Sequence, residues 1–287
     1  MSGELDGLRM VITGGAKGIG AATAAMAAAR GASIMIGDVD DAAAADTVAQ
    51  LRCAGATAYW LHCDVTQQDQ VDGLMAAAAR QLGGLDILHN NAGLTESVLS
   101  ADITIETMAQ ETFDQVMAIN VRGPFLCTRA ALPYLKASQA GAVVNAGSSA
   151  TVTGYPNRLA YGTSKAAVAG LTRNLAVALA PYGIRVNCYC PSLTRTGLIA
   201  AAAETVPAGL GPVVATHLSY RIAEPDEIAE VVCFLASPRS SFVTGAIWLV
   251  DGGSLAWRGT VDQLPDRRVP EPLSADSGHA HTPEEVP

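Results

Sequence analysis

The chain has 287 residues, of which 49% are hydrophobic and 16% are charged, and its 18 basic and 27 acidic residues give a net charge of −9. This acidic balance argues against nucleic acid or an anionic membrane as partner and favours a small-molecule ligand. No run of about 18 apolar residues is free of breakers, so no membrane-spanning helix is predicted. The length suits one α/β domain of about 250 residues followed by a tail.

The cysteines indicate buried, reduced thiols rather than a metal site. They form no Cys-x-x-Cys pair and have no cluster of histidines beside them, so no metal is predicted. Residues 1–9 carry three charges and lack the apolar segment of a signal peptide. We therefore expect a cytoplasmic protein with free thiols. The six cysteines are Cys53, Cys63, Cys127, Cys188, Cys190 and Cys233.

A glycine-rich turn follows the first predicted strand, over 8–13, and precedes an Ala-rich helix over 21–30. The turn contains Gly14, Gly18 and Gly20. In a strand, glycine turn and helix of this kind, the backbone approaches a pyrophosphate that rests on the helix N-terminus. The glycine spacing differs from the ordinary Gly-x-Gly-x-x-Gly fingerprint, and a plain βα connection is the alternative for a glycine turn taken alone.

The second predicted strand, over 32–37, ends at Asp38, eighteen residues beyond Gly20. A carboxylate at that strand end accepts hydrogen bonds from the adenosine ribose and repels a 2′-phosphate, which favours NAD over NADP. Lys17 favours the opposite, because a cation in the glycine turn would attract that phosphate. We give Asp38 the greater weight because a like-charge contact in a partly desolvated site is costly. The alternative for Asp38 is an acid that caps a helix or lies in a loop.

Strands continue to alternate with helices of ten or more residues, which predicts a parallel sheet with right-handed crossovers. Asp64 follows the third strand, where it either holds the adenine amino group or caps the next helix; the sequence does not distinguish these roles. The segment Asn91-Ala92-Gly93 follows the fourth strand. Ligands of such sheets bind beyond the carboxyl ends of the strands. The glycine turn, Asp38, Asp64 and this segment should therefore meet at one edge.

Two further polar residues interrupt apolar patterns. Asn120 lies between helices predicted over 104–117 and 125–136, where its amide needs a partner such as a backbone carbonyl or a water. A purely structural role is the alternative. Ser148 follows a buried strand predicted over 141–147.

Tyr161 and Lys165 lie four residues apart in an Ala-rich helical run. Positions i and i+4 share one helix face, so the Lys165 ammonium should lie beside the Tyr161 phenol and lower its pKa from about 10. A phenol of that acidity exchanges a proton with an alcohol or a carbonyl. Two surface residues on an ordinary helix are the alternative for so short a pattern.

Taken together and in this order, the motifs resemble the short-chain dehydrogenase/reductase family over residues 5 to about 254. The resemblance implies a single doubly wound Rossmann domain, with a seven-stranded parallel sheet and helices on both faces. It also implies hydride transfer between NAD(H) and a secondary alcohol or ketone. The alternatives are an NADP-dependent carbonyl reductase and a catalytically silent NAD-binding protein. Members assemble as homotetramers or homodimers, here through the helices around 104–136.

The resemblance also assigns residues. The implied catalytic set is Asn120, which holds a proton-relay water, with Ser148, Tyr161 and Lys165. The implied coenzyme-binding residues are Gly14, Lys17, Gly18, Ile19, Gly20, Asp38, Asp64, Val65, Asn91, Ala92, Gly93, Tyr161, Lys165, Pro191, Thr194 and Thr196. Ser192 stands where the family usually has glycine. If that position needs φ > 0, serine costs about 1 kcal/mol and disturbs the nicotinamide corner.

The last part of the chain corresponds to a lid and an extension. Residues of about 192–222 match the mobile substrate lid of the family, and their small, apolar composition predicts an uncharged, fairly hydrophobic substrate. The nearby candidates for a polar substrate group are Arg158, Arg195 and His217. Residues 255–287 are rich in Pro, acidic residues, Ser and His, which predicts a flexible or surface-draped extension.

Overall fold

Seven parallel strands form one sheet in the computed structural model, which describes residues 3–197, 214–257, 259–260 and 263. The strand order β3-β2-β1-β4-β5-β6-β7 confirms the predicted doubly wound α/β fold. The strands are β1 (Arg9–Thr13), β2 (Ser33–Asp38), β3 (Ala58–His62), β4 (Ile87–Asn90), β5 (Ala142–Ala146), β6 (Arg185–Pro191) and β7 (Ile247–Val250). The flanking helices are α1 (Gly18–Ala29), α2 (Asp41–Cys53), α3 (Gln68–Leu82), α4 (Gln110–Met117), α5 (Gly123–Ala137), α6 (Leu159–Leu179) and α7 (Pro225–Ala236).

The central strand β1 pairs with β2 on one side and β4 on the other. The chain first builds outward from β1 to β3, then returns and builds outward from β4 to β7. The order therefore reverses between β1 and β4, and the helices that leave these strands diverge to opposite faces of the sheet. Such a reversal opens a crevice at the carboxyl ends of the strands, where ligands of open α/β sheets bind.

The sheet separates two apolar layers, and successive β1 residues point into different layers. Met10 and Ile12 pack in the layer that contains α1 and α2, whereas Val11 packs in the layer that contains α3 and α5. All three are fully buried, and each buried side chain of this kind contributes about 1.5–3 kcal/mol. Because both faces are covered, the strands read as continuous apolar runs rather than alternating ones.

The helix predicted over 104–117 is wrong at its start. Residues 104–107 form a turn, in which the Thr107 N–H donates to both the carbonyl and the hydroxyl of Thr104, and α4 begins at Gln110. The Thr104 hydroxyl also lies 2.9 Å from that of Thr107. Threonine hydroxyls that bond the local backbone in this way compete with helix formation.

Several predictions concern regions that the structure covers only in part. Residues 198–213 of the predicted lid, and 258, 261–262 and 264–287 of the extension, lie outside the described residues. In the portion that is described, no helix is both long and apolar enough to cross a membrane. The six cysteines are free; five are buried, and Cys53 is exposed, contrary to the prediction.

Candidate active site

The carboxyl ends of the central strands open into a cavity of about 600 Å³. Most of the predicted site residues line it: Gly14, Lys17, Gly18, Ile19, Asp38, Asp64, Val65, Asn91, Ala92, Gly93, Tyr161, Lys165, Pro191 and Thr196. Gly20, Asn120, Ser148 and Thr194 are buried and do not line the cavity. The sequence therefore predicted correctly that these motifs come together at one edge of the sheet.

The glycine turn between β1 and α1 packs too closely for side chains. Gly14 has φ = 63° and Gly18 has φ = 55°, in the left-handed region that favours glycine. A Cβ atom on Gly20 would lie 2.1 Å from the Gly14 carbonyl oxygen. At the start of α1, Lys17 is the N-cap and makes no side-chain cap, so the first N–H groups of the helix have no side-chain acceptor there. A turn of this shape at a helix N-terminus fits a dinucleotide pyrophosphate.

Asp38 is fixed at the end of β2 by two backbone donors. Its Oδ2 accepts from the Ala16 N–H at 2.9 Å, and its Oδ1 accepts from the Asp40 N–H at 3.0 Å. The side chain that caps α2 is Asp40, which accepts from the Ala43 N–H. Asp38 is therefore not a helix cap, and its carboxylate lines the cavity.

Asp64 shapes the turn before α3. Its Oδ1 accepts from both the N–H and the hydroxyl of Thr66, at 2.9 and 2.8 Å. The N-cap of α3 is Gln67, so Asp64 does not cap that helix. Asp64 and the neighbouring Val65 both line the cavity.

The segment after β4 is tied to the glycine turn. The Asn91 side-chain amide donates to the Gly14 carbonyl at 2.7 Å, and its oxygen accepts from the Tyr189 hydroxyl at 3.1 Å. The hydroxyl of Thr13 accepts from the N–H groups of Asn91 and Ala92. These bonds join β1, β4 and β6 at the edge where a dinucleotide would lie.

Asn120 lies in a π-helical turn, Ala118–Arg122, between α4 and α5. Its Oδ1 accepts from the Leu94 N–H at 2.9 Å, and its Nδ2 donates to the Leu94 carbonyl and to the Ser164 hydroxyl, both at 2.9 Å. The extra residue of a π turn is a frequent feature of functional sites. Here it places a buried amide between the loop after β4 and helix α6.

The predicted Ser, Tyr and Lys come from two elements on one side of the cavity. Ser148 follows β5, and Tyr161 and Lys165 lie one turn apart on α6. The Lys165 ammonium donates to the Ala146 carbonyl at 2.8 Å and lies 5.6 Å from the centre of the Tyr161 ring. Lys165 is only 4% exposed, so its charge is shielded from water.

The prediction that the pKa of the Tyr161 phenol is lowered is wrong, because the surrounding protein groups raise it. Burial raises the pKa of the phenol, and this effect exceeds the lowering by the Ser148 hydroxyl and the Arg158 charge. Burial also lowers the pKa of Lys165 to about 8. Desolvation of both charged forms therefore outweighs the attraction between an ammonium and a phenol that are separated by one helical turn.

The condition for strain at Ser192, a positive φ, is not met in the loop after β6. The non-glycine residues with positive φ in the described ranges are Asn157 and Tyr220, so Ser192 is not strained. Its hydroxyl lies 2.8 Å from Nε2 of His217, which is 2% exposed. This contact could not be predicted from local sequence patterns, because the two residues lie 25 positions apart within the predicted lid.

Thr194 and Thr196 occupy different places in the same loop. Thr194 forms a bridge with Ala223, and this buries it to 3% exposure. Thr196 lies against the glycine turn, since its Cγ2 is 3.1 Å from the position of a Cβ on Gly18. The loop thus contacts the start of α1 at the wall of the cavity.

The fold and the cavity are those of a dinucleotide-binding oxidoreductase, and comparison with known proteins identifies the family. The sequence profile described as enoyl-(acyl carrier protein) reductase matches residues 14–254. The chain therefore belongs to the short-chain dehydrogenase/reductase family. This confirms the family and the fold that the motifs predicted.

Two relatives and one solved structure define the reaction class. The chain is 43% identical over 247 residues to cis-4-hydroxycyclohexanecarboxylate dehydrogenase of Sinomonas cyclohexanicum, covering 86% of this chain and 96% of that protein. It is 34% identical over 257 residues to cyclopentanol dehydrogenase of a Comamonas species, covering 88% and 99%. The structure of 3-ketoacyl-(acyl-carrier-protein) reductase from Brucella melitensis, complexed with NADH, superposes with a TM-score of 0.79 at 31% identity, covering 87% and 99%. The protein is an oxidoreductase of secondary alcohols and ketones.

Proposed function

We propose that the protein transfers hydride between NAD(H), rather than NADP(H), and a secondary alcohol or ketone. The observation that carries the choice of coenzyme is the Asp38 carboxylate, which two backbone N–H groups hold in the cavity wall. A ribose 2′-phosphate would bring like charge against it. Lys17, which favoured NADP in the sequence, has its ammonium 2.6 Å from the Asp40 carboxylate. The Asp40 carboxylate neutralises the Lys17 ammonium, which is the positive charge that a ribose 2′-phosphate would otherwise bind.

In the direction of oxidation, Tyr161 as phenolate removes the alcohol proton while hydride leaves the same carbon. Bound NAD supplies the acceptor for the hydride. The Ser148 hydroxyl donates a hydrogen bond to the substrate oxygen, a contribution of about 2.7–4 kcal/mol in comparable oxyanion sites. Lys165 would hold the nicotinamide ribose, and Asn120 would hold the water that carries the proton away. The position of Lys165 in the cavity lining and its burial support its role.

The proposed substrate is an uncharged, fairly hydrophobic secondary alcohol or its ketone. Apolar side chains of Leu94 and Ile119 contribute to the cavity beside Tyr161. Two of the three candidates for contact with a polar substrate group are engaged elsewhere. Arg195 lies 2.8 Å from the Glu224 carboxylate, and His217 contacts Ser192. A neutral alicyclic alcohol fits this description, as the name of cyclopentanol dehydrogenase also indicates.

A second candidate is an alicyclic alcohol that bears a carboxylate. It rests on Arg158, which donates to the Ser97 hydroxyl at 2.9 Å but pairs with no acid among the residues the structure describes. The positive charge of Arg158 lowers the pKa of the Tyr161 phenol. Initial rates with cyclohexanol, cyclopentanol and cis-4-hydroxycyclohexanecarboxylate separate the two candidates. A carboxylate preference that Arg158→Gln abolishes supports the second, and a preference for the neutral alcohols supports the first.

The coenzyme assignment is tested by kcat/KM for NAD and NADP in the wild type, Asp38→Asn and Asp46→Asn. We expect the wild type to prefer NAD by about tenfold or more, as one unfavourable contact of about 1.4 kcal/mol requires. Asp38→Asn should narrow this ratio because it removes the repelling charge. Asp46 is an exposed acid on α2 and serves as the matched control. A wild-type preference for NADP would overturn the assignment.

We also propose assembly as a homotetramer, or failing that a homodimer, in the cytoplasm. Support for assembly comes from apolar side chains exposed on the long helices, among them Phe125 on α5 and Val177 on α6. Free thiols, five of them buried, suit a reducing compartment. Light scattering on the purified protein tests the assembly against the 29.4 kDa chain mass. A monomer at micromolar concentration would contradict it.

A further inference from the structure

A buried carboxylate, Glu96, contacts the start of the helix that carries Tyr161. Glu96 is fully buried in a short turn after β4. Its Oε1 accepts from the Ala160 N–H at 3.1 Å and from the Tyr161 N–H at 3.5 Å. Its Oε2 is buried and has no partner among the residues the structure describes. A buried acid of this kind needs an explanation, because an unpaired buried oxygen is costly.

Helix α6 has no cap of its own. Arg158 occupies the N-cap position and makes no side-chain cap, so the first N–H groups of the helix depend on an acceptor from elsewhere. Glu96 supplies that acceptor from a distant segment of the chain. A negative charge is also favourable at a helix N-terminus, where the helix dipole is positive. Both effects explain why an acid is tolerated at a fully buried position.

The segment that carries Glu96 is fixed to the rest of the site. Two residues before it, Leu94 exchanges two backbone hydrogen bonds with the Asn120 side chain. One residue after it, the Ser97 hydroxyl accepts from Arg158. The loop after β4 therefore links the π turn, the start of α6 and the cation beside Tyr161. A carboxylate held this rigidly has a fixed distance and direction to the phenol.

We propose that Glu96 is a positioning residue for Tyr161: its carboxylate holds the phenol in place by capping the start of α6, and its charge acts on the proton exchange of the phenol. This inference rests on the proposed function, since it assumes that Tyr161 is the proton acceptor. The other groups around the phenol are Ser148 after β5, Arg158 before α6, Lys165 on α6, and Tyr189 and Cys190 on β6.

The charges around Tyr161 act in opposite directions. Burial is the largest cause of the raised pKa of the phenol, and the Glu96 charge raises it further, whereas Ser148 and Arg158 lower it. Removal of the Glu96 charge should therefore lower the pKa of the phenol. Because oxidation needs the phenolate, the rising limb of kcat/KM against pH should move to lower pH.

Two substitutions separate the effect of the Glu96 charge from the effect of the side-chain length that caps α6. Glu96→Gln keeps the length and the Oε1 acceptor but removes the charge, so the limb for alcohol oxidation should move to lower pH. Glu96→Asp keeps the charge but is one methylene shorter, so the cap is lost or displaced. In Glu96→Asp we expect the rising limb of kcat/KM against pH to stay nearer its wild-type position. We expect kcat to fall by about tenfold or more, because the shorter side chain would misplace the reacting phenol. Glu106→Gln, an exposed acid on the neighbouring turn, is the matched control.

Coenzyme affinity, measured by the fluorescence of bound NADH, should change little in these variants, because Glu96 does not line the cavity. An unmoved limb in Glu96→Gln together with wild-type kcat in Glu96→Asp would overturn the inference. Tyr161→Phe distinguishes that outcome from failure of the proposed function. If Tyr161→Phe is inactive and the Glu96 variants behave as wild type, Glu96 is only structural. If Tyr161→Phe is active, the proton role of Tyr161 itself is wrong.

Discussion

The two sides of the cavity are built differently. On the side of β1 and β2, backbone geometry defines the site: the glycine turn admits no Cβ, and Asp38 is held by two N–H groups. On the side of β5 and α6, side chains define it: Lys165 bonds the Ala146 carbonyl, and Glu96 reaches α6 from 64 residues away. The first side presents a fixed surface. The second presents titratable groups whose properties depend on burial.

This difference separates binding from chemistry. A backbone surface recognises a pyrophosphate and a ribose by shape and by fixed dipoles, so it functions in the same way over a wide range of pH. Buried titratable groups have shifted pKa values, and their activity depends on pH. Substitutions on the first side should therefore change coenzyme affinity, whereas substitutions on the second should change turnover and its pH dependence.

The largest expected effect is the loss of turnover in Tyr161→Phe. Removal of the phenolic oxygen removes the proposed proton acceptor, and general acid–base catalysis contributes about 10²–10⁴-fold. We expect kcat to fall by about that factor while the affinity for NADH stays within about twofold of the wild type, because the ring remains. Stopped-flow turnover and NADH fluorescence measure the two quantities.

The control for this substitution is Tyr182→Phe, at a half-exposed tyrosine whose ring stacks under Lys136. It makes the same chemical change outside the cavity and should leave both quantities unchanged. A Tyr161→Phe variant with near-normal turnover would remove the distinction between the two sides, because the chemistry would then not depend on the buried phenol.

The next effect belongs to the coenzyme side. In Gly20→Ala, the new Cβ would lie 2.1 Å from the Gly14 carbonyl oxygen and 2.7 Å from the Asn91 amide, so the turn must shift. Overpacking of this kind costs about 1–3 kcal/mol, and we expect weaker NADH binding by about tenfold or more and a lower Tm. Calorimetry and thermal unfolding measure these changes.

Gly73→Ala is the control, and it should change the stability of the protein in the opposite direction from Gly20→Ala. Gly73 lies inside α3 and is exposed, with no atom within 4 Å of an added Cβ. Alanine should stabilise this helix by about 0.5–1 kcal/mol and leave NADH binding unchanged. If Gly20→Ala binds NADH as tightly as the wild type, then the glycine turn does not contact the coenzyme, and the description of this side as a backbone surface is wrong.

The same difference explains how much of the molecule could be predicted from its sequence. The strands, the glycine turn and Asp38 follow from local patterns, because strand ends of a parallel sheet share one edge and glycines mark left-handed turns. Asn120 and the pair Tyr161 and Lys165 were also found, since a polar residue in an apolar helix is visible in the sequence. These predictions needed only neighbours in the chain.

The features that the sequence did not reveal are long-range contacts and burial. Glu96 looked like an ordinary loop acid, because its acceptor role depends on a helix that begins 63 residues later. The pKa of Tyr161 was predicted with the wrong sign, since local spacing shows the ammonium but not the desolvation. Whether Ser192 would be strained also could not be decided from the sequence, because it depends on φ, which is not positive there.

The smallest expected effect concerns the hydrogen-bonding contact between Ser192 and His217. Its loss tests whether the part of the predicted lid around His217 belongs to the catalytic side of the cavity. Ser192→Gly restores the usual residue of the family but removes the 2.8 Å contact with the buried His217 ring. A buried hydrogen bond of this kind is worth about 1 kcal/mol, and a new glycine adds chain entropy on unfolding. We expect a Tm lower by a few degrees and a KM for the alcohol raised about two- to fivefold, with kcat nearly unchanged, because the bond positions residues around the substrate rather than the reacting groups.

Ser219→Ala, in the same segment, removes only a long 3.4 Å bond to the Arg221 carbonyl and should have a smaller effect. Equal Tm and KM in Ser192→Gly and the wild type would show that the contact with His217 contributes nothing to the position of this segment.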